Sequence, residues 1–508
     1  MSKHTISTDI LYFVFSVLIV CYFNEILLHL PMIKKNERCS SNMKKIVVTL
    51  LLICFSQNIF AQSAQVVVNP ENKAQQLEGW GVSLCWWANS CGKMSDEQID
   101  VLVDWLTSPE GLNYNLFRYN IGGGDDPQNR NCELHHMAKG KGLRAEMPGF
   151  KLYPESAYDW SADSSQVKIM LKIREKRPDA IFEAFSNSAP WWMTISGCCA
   201  GNKDAGTDNL HPKYYDAFAQ YLVDVCQHMK LQYGIEFRTL EPFNESLSNY
   251  WGQSGSQEGC HFDVATQVKV IDILHKKLQK SGLKTVISAS DETSTAHALT
   301  AFDGYGKALK QIGQWNVHTY GATNQERQEL YNKVKAANLP LWMSESGSGG
   351  NGIAGNINML QRLFDDMRYL QPIGWCDWQY IEEKGDQWNL VLGNYKEQSF
   401  KRVKNFYVRQ QVTRFIKSGY SFLQVDNDQT LAAISPDDKT LVIVCLNNTE
   451  EFAKMKYQIP VAVRDMVRIY TTSVSEDLCP SLGVVVDNEI EVSLPPHAVK
   501  TMVFSIDN

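Results

Sequence analysis

The chain has 508 residues, of which 44 % are apolar and 21 % charged, and a formal net charge of −7. These are globular values that exclude intrinsic disorder and coiled coil, and the length exceeds one ordinary domain. The acidic balance argues against nucleic acid or an anionic membrane as partner.

Residues 1–42 hold one apolar run, Ile10 to Phe23, whose 14 residues fall short of a bilayer span. A secretory pattern starts at Met43: Lys44 and Lys45 form a basic segment, Ile46 to Phe55 an apolar one, and Ala61 is a small residue suited to cleavage. The reading is an over-extended start over 1–42, a signal peptide over 43–61, and a secreted or periplasmic protein without a stable membrane partner. An N-terminal anchor is the alternative. Residues 1–61 carry six Lys/Arg and three Asp/Glu, so without them the formal charge is −10. Of 13 cysteines, ten lie beyond residue 61. Export permits disulfides, and Cys85 with Cys91 or Cys198 with Cys199 are tempting pairs, but most are expected to be small buried hydrophobes.

Residues 62–76 are expected to supply one or more strands to a C-terminal sandwich. From residue 77 strands and helices alternate. LEGWGVSLCWWA (77–88) reads as strand one, and Ser95 with Gln98 forms a capping box that opens the first helix. LNYNLFRYNIGGG (112–124) is strand two, AIFEAFSNSAPWWM (180–193) strand three and FRTLEPFNE (237–245) strand four. LKTVISASDE (283–292), QWNVHTYG (314–321), LPLWMSESG (339–347) and IGWCDWQY (373–380) are strands five to eight. Helical segments follow near 166–178, 213–233, 262–281, 353–370 and 404–417, with further helical material after strands five and six. Eight successive strand–helix units with near-continuous apolar strands predict an α/β fold, a closed (β/α)8 TIM barrel over 77–418. After Gly419 the pattern becomes short strands and turns, an antiparallel β-sandwich over 419–508.

Active-site groups of such a barrel project from the C-terminal ends of its strands. Those ends carry Arg118 and Asn120, Asn187 and Trp191-Trp192, Asn244 and Glu245, His318 and Tyr320, Glu345, and Asp377 and Trp378. Two glutamates at the ends of strands four and seven are what retaining glycoside hydrolysis requires, one as acid/base and one as nucleophile. The 13 Trp fit that chemistry, because indole faces stack on sugar rings, although large cores also use Trp. Trp191, Trp192 and Trp378 are candidate platforms, with Trp86, Trp87 and Trp251 as further cleft candidates. Asp125, Asp126 and Asn187 could bind sugar hydroxyls, and an Asx turn is the competing reading for the aspartates.

Here the sequence resembles glycoside hydrolase family 30, through GWG near residue 80, FRYNIGGG on strand two, AFSNSAPWWM on strand three, Asn-Glu on strand four and SESG on strand seven. RYNIGGGDDP and SNSAPWWM look most like the endo-β-1,6-galactanase branch. The resemblance implies a barrel coupled to a β-sandwich built from both chain ends, with Glu245 as acid/base and Glu345 as nucleophile. Arg118 and Tyr320 are the expected donors to Glu345, and Asn244 the donor to the sugar 2-hydroxyl. The acid/base should have a raised pKa, and the nucleophile should stay ionised. No cofactor and no metal is expected: His135-His136 lacks ligand spacing, and Gly122–Gly124 is followed by no phosphate-loop lysine. The expected partner is a polysaccharide or oligosaccharide substrate. Alternatives are a β-1,6-glucanase, glucuronoxylanase or glucosylceramidase-like member, or a non-catalytic carbohydrate-binding protein.

Overall fold

A computed structural model describes residues 64–128, 130 and 147–506; the expectations for residues 1–61 and for His135-His136 lie outside them. Two short strands, β1 (Ala64–Val67) and β2 (Lys73–Gln76), precede the barrel. Its strands are β3 (Gly79–Ser83), β4 (Leu116–Asn120), β5 (Ile181–Phe185), β6 (Thr239–Glu241), β7 (Val286–Glu292), β8 (Ile312–His318), β9 (Leu341–Ser346) and β10 (Gly374–Asp377). All pair in parallel with their neighbours, and β10 returns to β3 to close the ring. Nearly every residue of these strands is buried on both faces, which is why they read as apolar runs rather than alternations.

Around the barrel lie α1 (Trp87–Cys91), α2 (Asp96–Thr107), α3 (Ser164–Lys176), α4 (Tyr215–Tyr233), α5 (Val264–Ser281), α6 (Thr295–Tyr305), α7 (Asn324–Ala336), α8 (Gly352–Asp365) and α9 (Lys404–Thr413). The capping box is present at α2: the Gln98 amide donates to the Ser95 hydroxyl, and the Ser95 amide to Gln98 Oε1.

Three strands are shorter than their apolar runs. β3 stops at Ser83, and Trp87 opens α1 as a core residue. β5 stops at Phe185, and Trp191–Met193 form a 3-10 turn. β6 is only Thr239–Glu241, so Glu245 sits four residues beyond its strand. The stretch between β10 and α9 holds β11 (Ile381–Glu382), β12 (Val391–Asn394) and β13 (Ser399–Arg402). Strands this brief, among turn residues, leave no periodic signal.

The C-terminal part contains β14 (Ser421–Leu423), β15 (Thr430–Ile434), β16 (Thr440–Asn447), β17 (Ala453–Gln458), β18 (Met466–Thr472), β19 (Cys479–Val484), β20 (Glu489–Leu494) and β21 (Ala498–Ser505). Seven strands run β19-β18-β21-β16-β15-β14-β2, and a smaller sheet runs β1-β17-β20. Both N-terminal strands are therefore part of the sandwich, β1 lying parallel to β17. Its core includes Val66, Ile443, Tyr457 and Phe504. α9 joins the two units: Gln411 donates to the Thr472 hydroxyl at 2.9 Å, and the Thr501 hydroxyl donates to the Gln411 carbonyl at 2.6 Å. Cys85, Cys91 and Cys199 are free thiols, so neither tempting pair is a disulfide.

Candidate active site

Glu345 is the fifth residue of β9, and Glu245 occupies the turn after β6. Glu245 has φ +51° and Asp291, at the end of β7, φ +55°, a left-handed region that costs a non-glycine residue about 1 kcal/mol or more. Hydrogen bonds hold the turn: the Glu245 amide donates to the Asp291 carbonyl at 2.8 Å, and its own carbonyl accepts from Ser248 N–H and Trp251 Nε1, both at 3.0 Å. This turns the Glu245 carboxylate over the barrel mouth toward Glu345.

His318, the last residue of β8 and fully buried, lies between them. Its Nδ1 is 3.0 Å from Glu245 Oε1 and 3.7 Å from Glu345 Oε1, and its Nε2 is 3.2 Å from Asp291 Oδ1. One oxygen of each glutamate and a His318 nitrogen all fall within 4.8 Å of one another. The Tyr320 hydroxyl donates to Glu345 Oε1 at 3.1 Å, and the Tyr250 hydroxyl donates to Glu245 Oε2. The two glutamates open into a cavity of about 430 Å³, whose other walls include Asn244, Tyr250, Trp251, Thr293, Tyr320, Trp378 and Trp388. Trp388 reaches the cavity across Gly347, where a Cβ would stand 2.3 Å from the indole ring; glycine permits that approach.

Beneath the glutamates, Arg118 is fully buried. It donates to Glu183 Oε1 at 2.8 Å and to the Ser344 carbonyl at 3.2 Å, pairs with Asp291, and stands 3.6 Å from Glu345 Oε2. Its donors are committed to the barrel interior, so it supports the floor of the site and neither binds sugar nor makes a short hydrogen bond to Glu345.

These surroundings reverse the expected protonation order. Burial raises the Glu245 carboxyl, but the donors His318 and Tyr250 outweigh it and hold the pKa below the ordinary value. Glu345 is pushed up to about 7 by burial and by the nearby Glu245 and Asp291 charges, against His318 and Arg118. His318 is held protonated: burial disfavours its charge, but Glu345, Asp291 and Glu245 surround it.

Burial likewise raises Asp163 to about 7 and Glu292 to about 8. With Glu345, these groups keep protons that an unfolded chain releases near pH 4, so their contribution to stability is complete below about pH 4 and lost as pH rises through 7 to 8. Asp291, lowered to about 2 by Arg118 and His318 against its burial, adds stability above about pH 4 that is lost toward pH 2. The melting temperature should therefore peak near pH 4 to 5 and fall toward pH 8; a calorimetric series rising over that interval would contradict these protonation states.

The sequence model of O-Glycosyl hydrolase family 30 matches residues 63–320. An endo-β-1,6-galactanase of Hypocrea rufa is 32 % identical over 422 residues, covering 80 % of this chain and 85 % of that protein. The chain belongs to glycoside hydrolase family 30. It is accordingly an O-glycosyl hydrolase. An exo-β-1,6-galactobiohydrolase of Bifidobacterium longum subsp. longum is 26 % identical over 418 residues, covering 63 % of this chain but 27 % of that protein. The catalytic domain of a family 30 xylanase C from Talaromyces cellulolyticus shares the fold, with TM-score 0.66 and 16 % identity over 87 % of this chain and all of that one.

Of the residues expected at a family 30 cleft, Asn244, Tyr320, Trp251 and Trp378 line the cavity with the two glutamates. Others do not. His318 is sealed between carboxylates and cannot reach sugar. Trp192 packs against Tyr214 and donates to the Lys151 carbonyl, and Trp191 donates to the Leu152 carbonyl. Trp86 is buried edge-on against Trp378. Asn187 is buried near Cys85 and Asn120, outside the cavity wall. Asp125 accepts the Asp126 amide, while Asp126 caps Gln128 and pairs with Arg130, which is the Asx-turn reading. Asp377 faces away from the cleft, held by Arg409 and Tyr114.

Sequence reasoning missed Tyr250, Thr293, Asp291 and Trp388. Asp291-Glu292 ends strand five and could have been flagged by position; Trp388 and Tyr250 sit in irregular segments with no periodic signal. Elsewhere, Asp208, His261 and Asp263 bring possible ligand atoms within 4.8 Å, but Asp208 already accepts the Asp263 amide and the Thr266 hydroxyl at the start of α5.

Proposed function

We propose that this protein is an exported, endo-acting, retaining glycosidase that cleaves β-1,6-linked galactan, with Glu345 as nucleophile and Glu245 as acid/base. The observation that carries the mechanism is the approach of the two carboxylates within 4.8 Å around one histidine. Retaining pairs stand about 5 to 5.5 Å apart, whereas inverting pairs leave room for a water at about 6.5 to 9.5 Å. In the first step Glu345 attacks the anomeric carbon as Glu245 gives its proton to the departing oxygen; in the second, Glu245 takes a proton from water, which releases the sugar from Glu345. Tyr320 and Arg118 steady the Glu345 charge, and Asn244, on the cavity wall, is the donor to the 2-hydroxyl in this reading. Trp378 and Trp388 supply apolar wall for sugar rings. The substrate assignment rests on the galactan-active relatives, and export on the signal pattern over 43–61.

The test is product analysis on β-1,6-galactan, β-1,6-glucan, glucuronoxylan and glucosylceramide, with Glu345→Gln as control. Oligosaccharides released from galactan alone are expected. Release from another glycan would keep the mechanism and change the substrate. Binding without release would favour a carbohydrate-binding protein.

A further inference from the structure

Glu345 is built into a strand, whereas Glu245 is carried by an irregular segment. No helix or strand lies between β6, which ends at Glu241, and α5, which begins at Val264. The left-handed turn that aims the Glu245 carboxyl is therefore held by tertiary contacts and not by the barrel ladder. Two of its three backbone bonds involve other backbone groups: the Glu245 amide donates to the Asp291 carbonyl, and the Glu245 carbonyl accepts the Ser248 amide. The third comes from a side chain, the indole N–H of Trp251, which donates to the same carbonyl at 3.0 Å. That carbonyl already has a partner in Ser248, so the indole bond is not needed to satisfy it.

Trp251 is seated where no neighbour leaves slack. It is 4 % exposed, and its ring lies edge-on to Tyr250 with centroids 4.7 Å apart. A Cβ at Gly259 would stand 1.9 Å from Cε3 of the indole, and a Cβ at Gly201, whose φ is +137°, would stand 2.0 Å from the Trp251 carbonyl oxygen. Two glycines of different segments thus make room for the ring and for the backbone that carries it. The segment between β5 and α4 fastens both sides of this slot. The Asn202 amide donates to the Trp251 carbonyl at 3.1 Å, and the Gly259 amide donates to the Cys199 carbonyl at 2.9 Å.

We propose that Trp251 is a positioning residue for Glu245: its indole, wedged over Gly259, pins the carbonyl of the left-handed turn and so fixes where the carboxyl meets the departing oxygen. A misplacement of about 1 Å at a reacting group can cost about 10²-fold. The step that needs a proton from Glu245 is therefore the step that depends on Trp251. This inference rests on the acid/base role proposed above for Glu245. Trp251 also forms part of the cavity wall, so action through Glu245 must be separated from contact with sugar.

The experiment uses two replacements at this position. Trp251→Phe keeps a ring in the slot and removes the N–H; 3-benzothienylalanine keeps the indole shape and puts sulfur where the N–H was. Each is made in wild type and in Glu245→Gln, and followed on two substrates. One is β-1,6-galactan, or whichever glycan of the panel is cleaved in its place; the other is an aryl glycoside of the same sugar with an acidic phenol. In wild type both replacements should lower kcat on the glycan about 10- to 100-fold, while the burst of phenol, which needs no proton, stays within about twofold. In the Glu245→Gln background neither should lower glycan turnover further. Equal losses on glycan and phenol burst would reveal a general disturbance of the cleft, and a further loss in Glu245→Gln a contact with sugar. Either would overturn the proposal, as would unchanged glycan turnover with benzothienylalanine. If Glu245→Gln itself lost glycan turnover and phenol burst equally, the acid/base reading would fall, and the role of Trp251 with it.

Discussion

Glu345→Gln should abolish turnover, lowering kcat on the natural glycan by about 10⁴-fold or more, with little change in the melting temperature at neutral pH. The amide is nearly isosteric and still accepts from Tyr320 at the Oε1 position, but it cannot form the glycosyl-enzyme bond of the proposed double displacement. Azide should not rescue this variant, because the amide fills the space a small anion would need. Glu345→Ala opens that space, and azide should restore measurable turnover by direct attack on the anomeric carbon, giving a glycosyl azide of inverted configuration. Retention of more than about a tenth of wild-type kcat in Glu345→Gln would place the nucleophile elsewhere.

Glu245→Ala should separate substrates by leaving group. On the natural glycan the departing alkoxide needs a proton, and losing the acid should cost about 10² to 10⁴ in kcat/KM. An aryl glycoside with an acidic phenol leaves unaided, so its first step should be nearly intact while its second, lacking the base, becomes slow. The expected signature is a burst of phenol followed by a slow steady state, accelerated by azide, this time with retained configuration. Equal losses on both substrate types would sink the acid/base assignment. The two variants together test the pair without depending on which glycan is the true substrate.

Much of this molecule was legible without coordinates because the relevant physics is local or periodic. The apolar strand runs, the capping box at Ser95 and the change of rhythm after Gly419 follow from short-range packing and hydrogen-bonding preferences, and they place Glu245 and Glu345 at one end of one barrel. The residues that sequence position misassigned share a different cause. Arg118, His318, Trp192 and Asp377 all lie at or near the C-terminal ends of their strands, yet one is floor, one a bridge, one packing and one an outward ion pair. The direction in which a side chain points there depends on strand length and on turns such as the left-handed one at Glu245, which an apolar run does not encode.

By itself the sequence determined the barrel, the sandwich with its N-terminal strands, the family, and the placement of two carboxylates at one end of the barrel, because periodicity and motif spacing survive without knowing what lies across the cleft. Only the tertiary structure decided in which direction each carboxyl's pKa is displaced. That depends on His318, Tyr250, Asp291 and Arg118 converging from four separate segments of the chain, and burial strengthens each of those electrostatic contacts in a way that no linear spacing reports.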